Sequence, residues 1–249
     1  MCGRFLLLSD EENVELEDIM NAIKDKYANR MNFTPGEVFP GTSIPVLTNP
    51  SINSGAPKPM HTGASSKRTA DIFEPCLMHW GFPLPGKTRS SSIINARSET
   101  LTQKPTFKKL VNNQRCIIPA NGFYEWAHAS VDASNVASLV SDAAQPAIDA
   151  KKKTKFLIRP SDARSLNGSH FFYMAGLTSM LRLANGEYAD CVVIITTFCS
   201  AQMASIHNRM PVIFNRAMAD YWMSDAAIDR VYSSGIMNPW SGSLDIITA

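Results

Sequence analysis

No apolar run in this 249-residue chain approaches the ~20 residues that a membrane-spanning helix needs. Phe5-Leu6-Leu7-Leu8 is far shorter than the core of a secretory signal and soon runs into acidic residues. Charge of one sign is scarce as well. Lys and Arg number 24 against 22 Asp and Glu, a formal net charge of +2, which permits a local nucleic-acid groove without arguing for one. The five cysteines, Cys2, Cys76, Cys116, Cys191 and Cys199, are odd in number and form no CxxC or Cys/His ligand spacing. Neither a disulfide framework nor a metal site is indicated, and no cofactor is implied. Such cysteine usage fits a reducing compartment. Internal repeats are also missing. Together these absences predict a soluble, cytoplasmic protein with no membrane partner.

With 45% hydrophobic residues the chain can bury a large core. Short β-branched or aromatic runs recur at Val46-Leu47, Cys76 to Trp80, Ile93-Ile94, Cys116 to Ile118, Phe123 to Trp126, Phe156 to Ile158, Phe171 to Ala175 and Cys191 to Thr197. Their turn-rich spacing, without regular intervening helices, predicts a mixed, largely antiparallel sheet or barrel. One amphipathic helix of roughly five turns is expected from Leu16, Ile19, Met20, Ile23 and Tyr27, opened by a Ser9/Glu12 capping box. Residues 49–71 and 129–153 break the pattern with polar, low-complexity composition and read as surface insertions in a single domain spanning 1–249. The lysine run Lys151-Lys152-Lys153, at the end of the second, reads as a solvated face.

What the chain does have is a cysteine at position 2. Removal of Met1 would leave a free α-amine and a thiol on one residue, a 1,2-aminothiol that no internal cysteine can offer. Such a pair condenses with an aldehyde as a Schiff base and then, when sulfur closes onto the same carbon, as a five-membered thiazolidine. Unperturbed values of ~8 for the amine and ~8.5 for the thiol make both near-neutral nucleophiles, and Arg4, two residues away, is expected to lower the thiol further. Read alone, Cys2 serves equally as a small apolar residue starting a strand, the commoner behaviour of a free cysteine.

Three further segments carry candidate chemistry. In Ile94-Asn95-Ala96-Arg97 a strand would place Asn95 and Arg97 on one face, an amide for an amine or carbonyl and a guanidinium for a phosphate. In Asn121-Gly122-Phe123-Tyr124-Glu125-Trp126 a turn leads into a strand where aromatics flank Glu125, and desolvation there would raise its pKa to a useful acid/base value. In the stretch from Thr196 to Pro211 a short helix is expected to end near Met210, leaving His207 at its C-terminus, where the dipole favours the protonated ring. Taken singly, each also reads as structure: a capped strand end, an edge glutamate, a hydrogen-bonding histidine.

Taken together, Met1-Cys2-Gly3-Arg4-Phe5, Asn32 with Pro35-Gly36, Trp80-Gly81, Ile94 to Thr100, Arg115 to Trp126 and Ile206-His207-Asn208-Arg209-Met210-Pro211 resemble, in order, the motifs of the SRAP family, the SOS response-associated peptidase or abasic-site processing proteins. The resemblance runs from Met1 to about Trp222 outside the two insertions. It implies a compact, β-rich α+β domain with flanking helices, acting as a monomer on single-stranded DNA that contains abasic sites, in the nucleoid. It implies a covalent thiazolidine crosslink to Cys2, abasic-lyase chemistry and self-removal of the N-terminal Met. Carried over by motif, Cys2 is the nucleophile, Asn95 positions the amine and sugar, Glu125 is the acid/base and His207 moves protons. Gly3, Arg4, Asn32, Pro35, Arg97, Thr196 and Arg209 line the DNA path.

Two departures stand out. Phe82 to Thr88 holds no second tryptophan, where family members carry an aromatic wedge, and the segment beyond Asn238 does not match. Lost stacking, at ~1 to 3 kcal/mol per base, is expected to weaken the hold on DNA. The alternative activities are an N-terminal-nucleophile cysteine peptidase or amidase, with the amine as base, and a non-catalytic single-strand binder.

Overall fold

The computed structural model describes residues 2–8, 13–27, 33–50, 73–84, 92–127, 153–161 and 170–249. In chain order its strands are β1 (Phe5–Leu7), β2 (Gly36–Val38), β3 (Ser43–Thr48), β4 (Glu74–Trp80), β5 (Phe82–Pro83), β6 (Ser92–Ile93), β7 (Asn95–Arg97) and β8 (Arg115–Ala120). The second half adds β9 (Gly122–Ala127), β10 (Thr154–Pro160), β11 (Phe172–Arg182), β12 (Tyr188–Phe198), β13 (Arg209–Pro211), β14 (Ile213–Phe214) and β15 (Leu244–Thr248). One long helix, α1 (Val14–Tyr27), follows β1, and short helices occupy Pro105–Lys108, Arg216–Trp222 and Ile228–Ser233. This is the expected β-rich α+β class.

Strands β12, β4, β3, β8 and β11 pair in that order, and β11 pairs back onto β12, so five strands close on themselves. Closure removes the edges on which an open sheet would aggregate. All these pairings are antiparallel except β4 with β12. A second sheet, β15-β10-β9-β1-β2, is wholly antiparallel. Alternate residues of the barrel strands feed two apolar clusters. One holds Val46, Ile118, Met174 and Ile194 and packs with Phe5, Leu7, Phe123 and Phe156 of the second sheet. The other holds Leu47, Ile117, Ala175 and Val193 and packs with Trp222 and other helix residues. Arg115, buried, donates to the Trp222 carbonyl at 3.0 Å, and Trp222 returns its indole N–H to the Cys116 carbonyl at 2.9 Å, fixing the Arg216–Trp222 helix on β8.

Helix α1 buries Leu16, Ile19, Met20 and Ile23 of the predicted stripe, and leaves its last member, Tyr27, half-buried. It spans 14 residues, about four turns rather than five. Asn13 caps it, its side-chain oxygen accepting the Leu16 N–H at 3.0 Å. The proposed Ser9/Glu12 box lies outside the described residues, as do Asn32, Lys151, Lys152, residues 85–88 of the segment lacking a wedge, and nearly all of both proposed insertions. Among the described residues no helix is long and apolar enough to cross a membrane.

Candidate active site around Cys2, Asn95, Glu125 and His207

The register of β1 against β9 determines what Cys2 meets. Phe5 pairs with Phe123 and Leu6 with Gly122, and the Tyr124 N–H donates to the Arg4 carbonyl at 2.9 Å, so the ladder continues toward the chain start. In an antiparallel pair, moving back from Arg4 to Cys2 means moving forward from Tyr124 to Glu125 and Trp126. Cys2 is fully buried, its thiol donating to the Arg4 carbonyl at 3.8 Å. Burial, and then the Glu125 carboxylate, push the thiol well above its ordinary pKa. This corrects the expectation that Arg4 lowers it. The Arg4 guanidinium is engaged elsewhere, paired with Glu37 at 2.8 Å and lying over the rings of Phe39 and Trp126 at 4.4 and 5.0 Å.

Asn95 reaches the site through the Trp80-Gly81 motif. Gly81 has φ 130, a conformation that a side chain disfavours, and its N–H donates to the Val192 carbonyl at 2.9 Å. The Trp80 indole donates to the Ile94 carbonyl at 3.0 Å and so holds the start of β7. Parallel pairing with β12 then sets Asn95 beside Ile194, Ala96 beside Ile195 and Arg97 beside Thr196. Ala96 is buried and Arg97 exposed, which confirms that Asn95 and Arg97 share a face. Asn95 Nδ2 donates to the Cys2 carbonyl at 2.8 Å. A carbonyl only accepts, so this bond fixes the amide's orientation. It leaves Oδ1 buried beside Cys2 with no hydrogen-bond partner among the described residues.

Glu125 is 2% exposed. Burial is the largest influence on its carboxyl and pushes it up to about 7. The predicted desolvation is therefore present, on a strand paired on both sides rather than at an edge.

His207 sits in the loop between β12 and β13. The expected helix there is a single 3-10 turn, Ala201–Met203, too short for a macrodipole that would charge the ring. The Arg209 N–H instead donates to His207 Nδ1 at 3.0 Å, which makes Nδ1 an acceptor and leaves the ring proton on Nε2. Glu125 and His207 both line an open cleft of about 370 Å³, joined by Trp126 and Lys153.

Sequence reasoning passed over two of these cleft residues. Lys153 belongs to the run read as a solvated face and is exposed, but its position on the cleft follows from Thr154 pairing with Ala127, a tertiary register that no local pattern shows. In sequence Trp126 shows only as an aromatic beside Glu125. Of the residues expected to line a DNA path, Gly3, Arg4 and Pro35 are half-buried and Arg97 is exposed. Thr196 and Arg209 are buried at 1% and 6% exposed. Arg209 grips Glu99 at 2.7 and 3.1 Å and the Thr196 carbonyl at 2.6 Å. Burial raises the Glu99 carboxyl, but the Arg209 hydrogen bond and charge more than offset this and hold it below its ordinary value. Among the described residues no group of three or more His, Cys, Asp or Glu is arranged to hold a metal.

The chain as a whole is similar to known proteins in sequence and in fold. The chain is 28% identical over 246 residues to the abasic site processing protein YoqW of Bacillus subtilis, covering 96% of this chain and 88% of that one. It is 31% identical over 160 residues to the abasic site processing protein HMCES of Xenopus tropicalis, covering 60% of this chain and 45% of the other. A crystal structure of a protein from Bordetella bronchiseptica superposes with a TM-score of 0.64 at 20% identity, covering 100% of this chain and 99% of that one. The profile of the family described as SOS response associated peptidase (SRAP) matches residues 1–248, nearly the whole length over which the motifs and strands above are laid out, and the chain belongs to that family.

Proposed function

We propose that this protein processes abasic sites in single-stranded DNA by forming a thiazolidine crosslink through Cys2. The observation that carries the reading is the meeting, at one end of the β1–β9 ladder, of Cys2, the Asn95 amide and a carboxyl pushed up to about 7. The names of its relatives support it. Met1 must first be removed to free the α-amine. The closed deoxyribose then opens as Glu125 protonates the ring oxygen and the C1′ hydroxyl gives up its proton, yielding the aldehyde. The amine adds to C1′ and water leaves, forming the imine.

The thiol, held protonated by its burial, adds last: sulfur bonds to C1′ while its proton passes to the imine nitrogen, so one water is lost overall. Asn95 Oδ1 is available to orient the amine. If sulfur does not add, loss of a C2′ proton expels the 3′ phosphate, which is the lyase reaction. His207, with its proton on Nε2, serves the sugar hydroxyl and the reopening of the ring. Arg97 and Lys153 supply cations for the strand's phosphates.

The peptidase reading instead asks the thiol to ionise and attack first, and a thiol pushed up by burial disfavours it. Incubation with an abasic single-stranded oligonucleotide tests the choice. A heat-stable adduct is expected, and turnover of peptides with no adduct would favour the peptidase.

A further inference from the structure

Phe198 closes β12 with 61% of its surface exposed. Tyr188 and Met180 are more exposed, but they lie at the opposite end of the β11–β12 hairpin. Phe198 is placed differently. Since Thr196 pairs with Arg97 and Ile194 with Asn95, and alternate strand residues share a face, Asn95, Arg97, Thr196 and Phe198 lie on one side of the sheet. The ring stands four residues, ~13 Å, along the strand from the level of Asn95.

Across the other ladder Phe198 pairs with Arg209, and its ring lies over the Arg209 guanidinium at 5.0 Å. That guanidinium is buried and matched by Glu99, so it backs one side of the ring and has no charge to spare for a phosphate. The Arg209 N–H meanwhile holds His207. The ring is therefore fixed from below, open above, adjacent to the loop that carries His207, and on the same face as the exposed cation Arg97.

We propose that Phe198 is a stacking shelf for the nucleobase next to the abasic site, with Arg97 meeting the phosphate that links the two. This rests on the abasic-site reading given above. An abasic nucleotide has no base to stack, so the strand must be held by its neighbours, and an aromatic face is a sequence-tolerant way to do so.

The test uses two single-stranded oligonucleotides carrying a non-reactive tetrahydrofuran abasic analogue, one with bases on both sides and one with the flanking bases also removed. Phe198→Ala should weaken binding of the first by roughly 5- to 150-fold and leave the second unchanged. Phe198→Tyr should restore affinity, whereas Phe198→Leu, which keeps apolar bulk without a π face, should not. Equal weakening on both strands, or full affinity in Phe198→Leu, would overturn the shelf. The crosslinking reading fails separately: wild-type protein would give no adduct with aldehyde-bearing DNA even where the base-dependent loss on Phe198→Ala persists.

Discussion

The side chain of Asn95 holds the backbone carbonyl of Cys2 at 2.8 Å, so a residue on a strand paired with the barrel fixes the first residues of the chain. A chain start normally frays. Here it is anchored three ways: by this amide, by β1 pairing with β2 and β9, and by complete burial of the Cys2 side chain.

Replacing Asn95 with Ala leaves the Cys2 carbonyl unpaired and removes the buried Oδ1 acceptor. The expected cost is on the order of 1 kcal/mol of stability, together with a larger fall in crosslinking rate than in DNA affinity. Melting curves and adduct time courses at saturating DNA measure the two. A loss of affinity alone would remove Asn95 from the chemistry.

Glu125 gives a pH signature. Its folded value of about 7 exceeds the ordinary 4.5, so the folded state binds this proton more tightly than the unfolded state. Its contribution to stability is full below ~4.5 and is lost as pH rises through 7. Glu125→Gln cannot ionise, so its melting temperature should gain on wild type between those two pH values and keep a constant advantage above them. The same variant should crosslink roughly 10²- to 10⁴-fold more slowly, and the inflection near pH 7 in the wild-type rate profile should vanish.

Arg97 and Arg209, which look alike in sequence, are expected to diverge. Exposed Arg97 lies open to a phosphate, and Arg97→Ala should lower the salt slope of single-strand binding by ~0.7 with little change in melting. Buried Arg209 is held by Glu99 and Thr196, so Arg209→Ala should cost about 1.5 to 3 kcal/mol of stability. Equal effects on slope and melting in both variants would show that burial does not separate them.

His207→Asn keeps an acceptor near the Nδ1 position for the Arg209 N–H but carries no transferable proton. Its melting temperature should match wild type while adduct formation or reversal slows. Wild-type rates in that variant would assign His207 to loop structure alone.

How much of this was legible in sequence differed by residue, for physical reasons. Helical periodicity located α1 and β-branched or aromatic runs between turns located eight strand segments, because both patterns follow burial. Strands β1, β2 and β13 are too short for such a run, whereas β15, Leu244–Thr248, carries β-branched residues and still escaped this reading. The same-face placement of Asn95 and Arg97 followed from the period of a strand, and the desolvation of Glu125 from its aromatic neighbours. The direction of the Cys2 thiol's shift was misjudged because closeness in sequence says nothing of where a guanidinium points: Arg4 turns to Glu37, 33 residues on. The exposure of Arg97 against the burial of Arg209 depended on Glu99, and the placement of Lys153 on the β9–β10 register. These are tertiary facts with no local signal.

The central claim is that an aminothiol at the chain start captures an aldehyde. Intact-mass spectrometry of the protein after mixing with abasic single-stranded DNA tests it most directly. The expected species lacks Met1 and carries the oligonucleotide with the loss of one water, and Cys2→Ala gives no such stable adduct while still binding DNA. A protein that retains Met1, or an undiminished heat-stable adduct from Cys2→Ala, would contradict it.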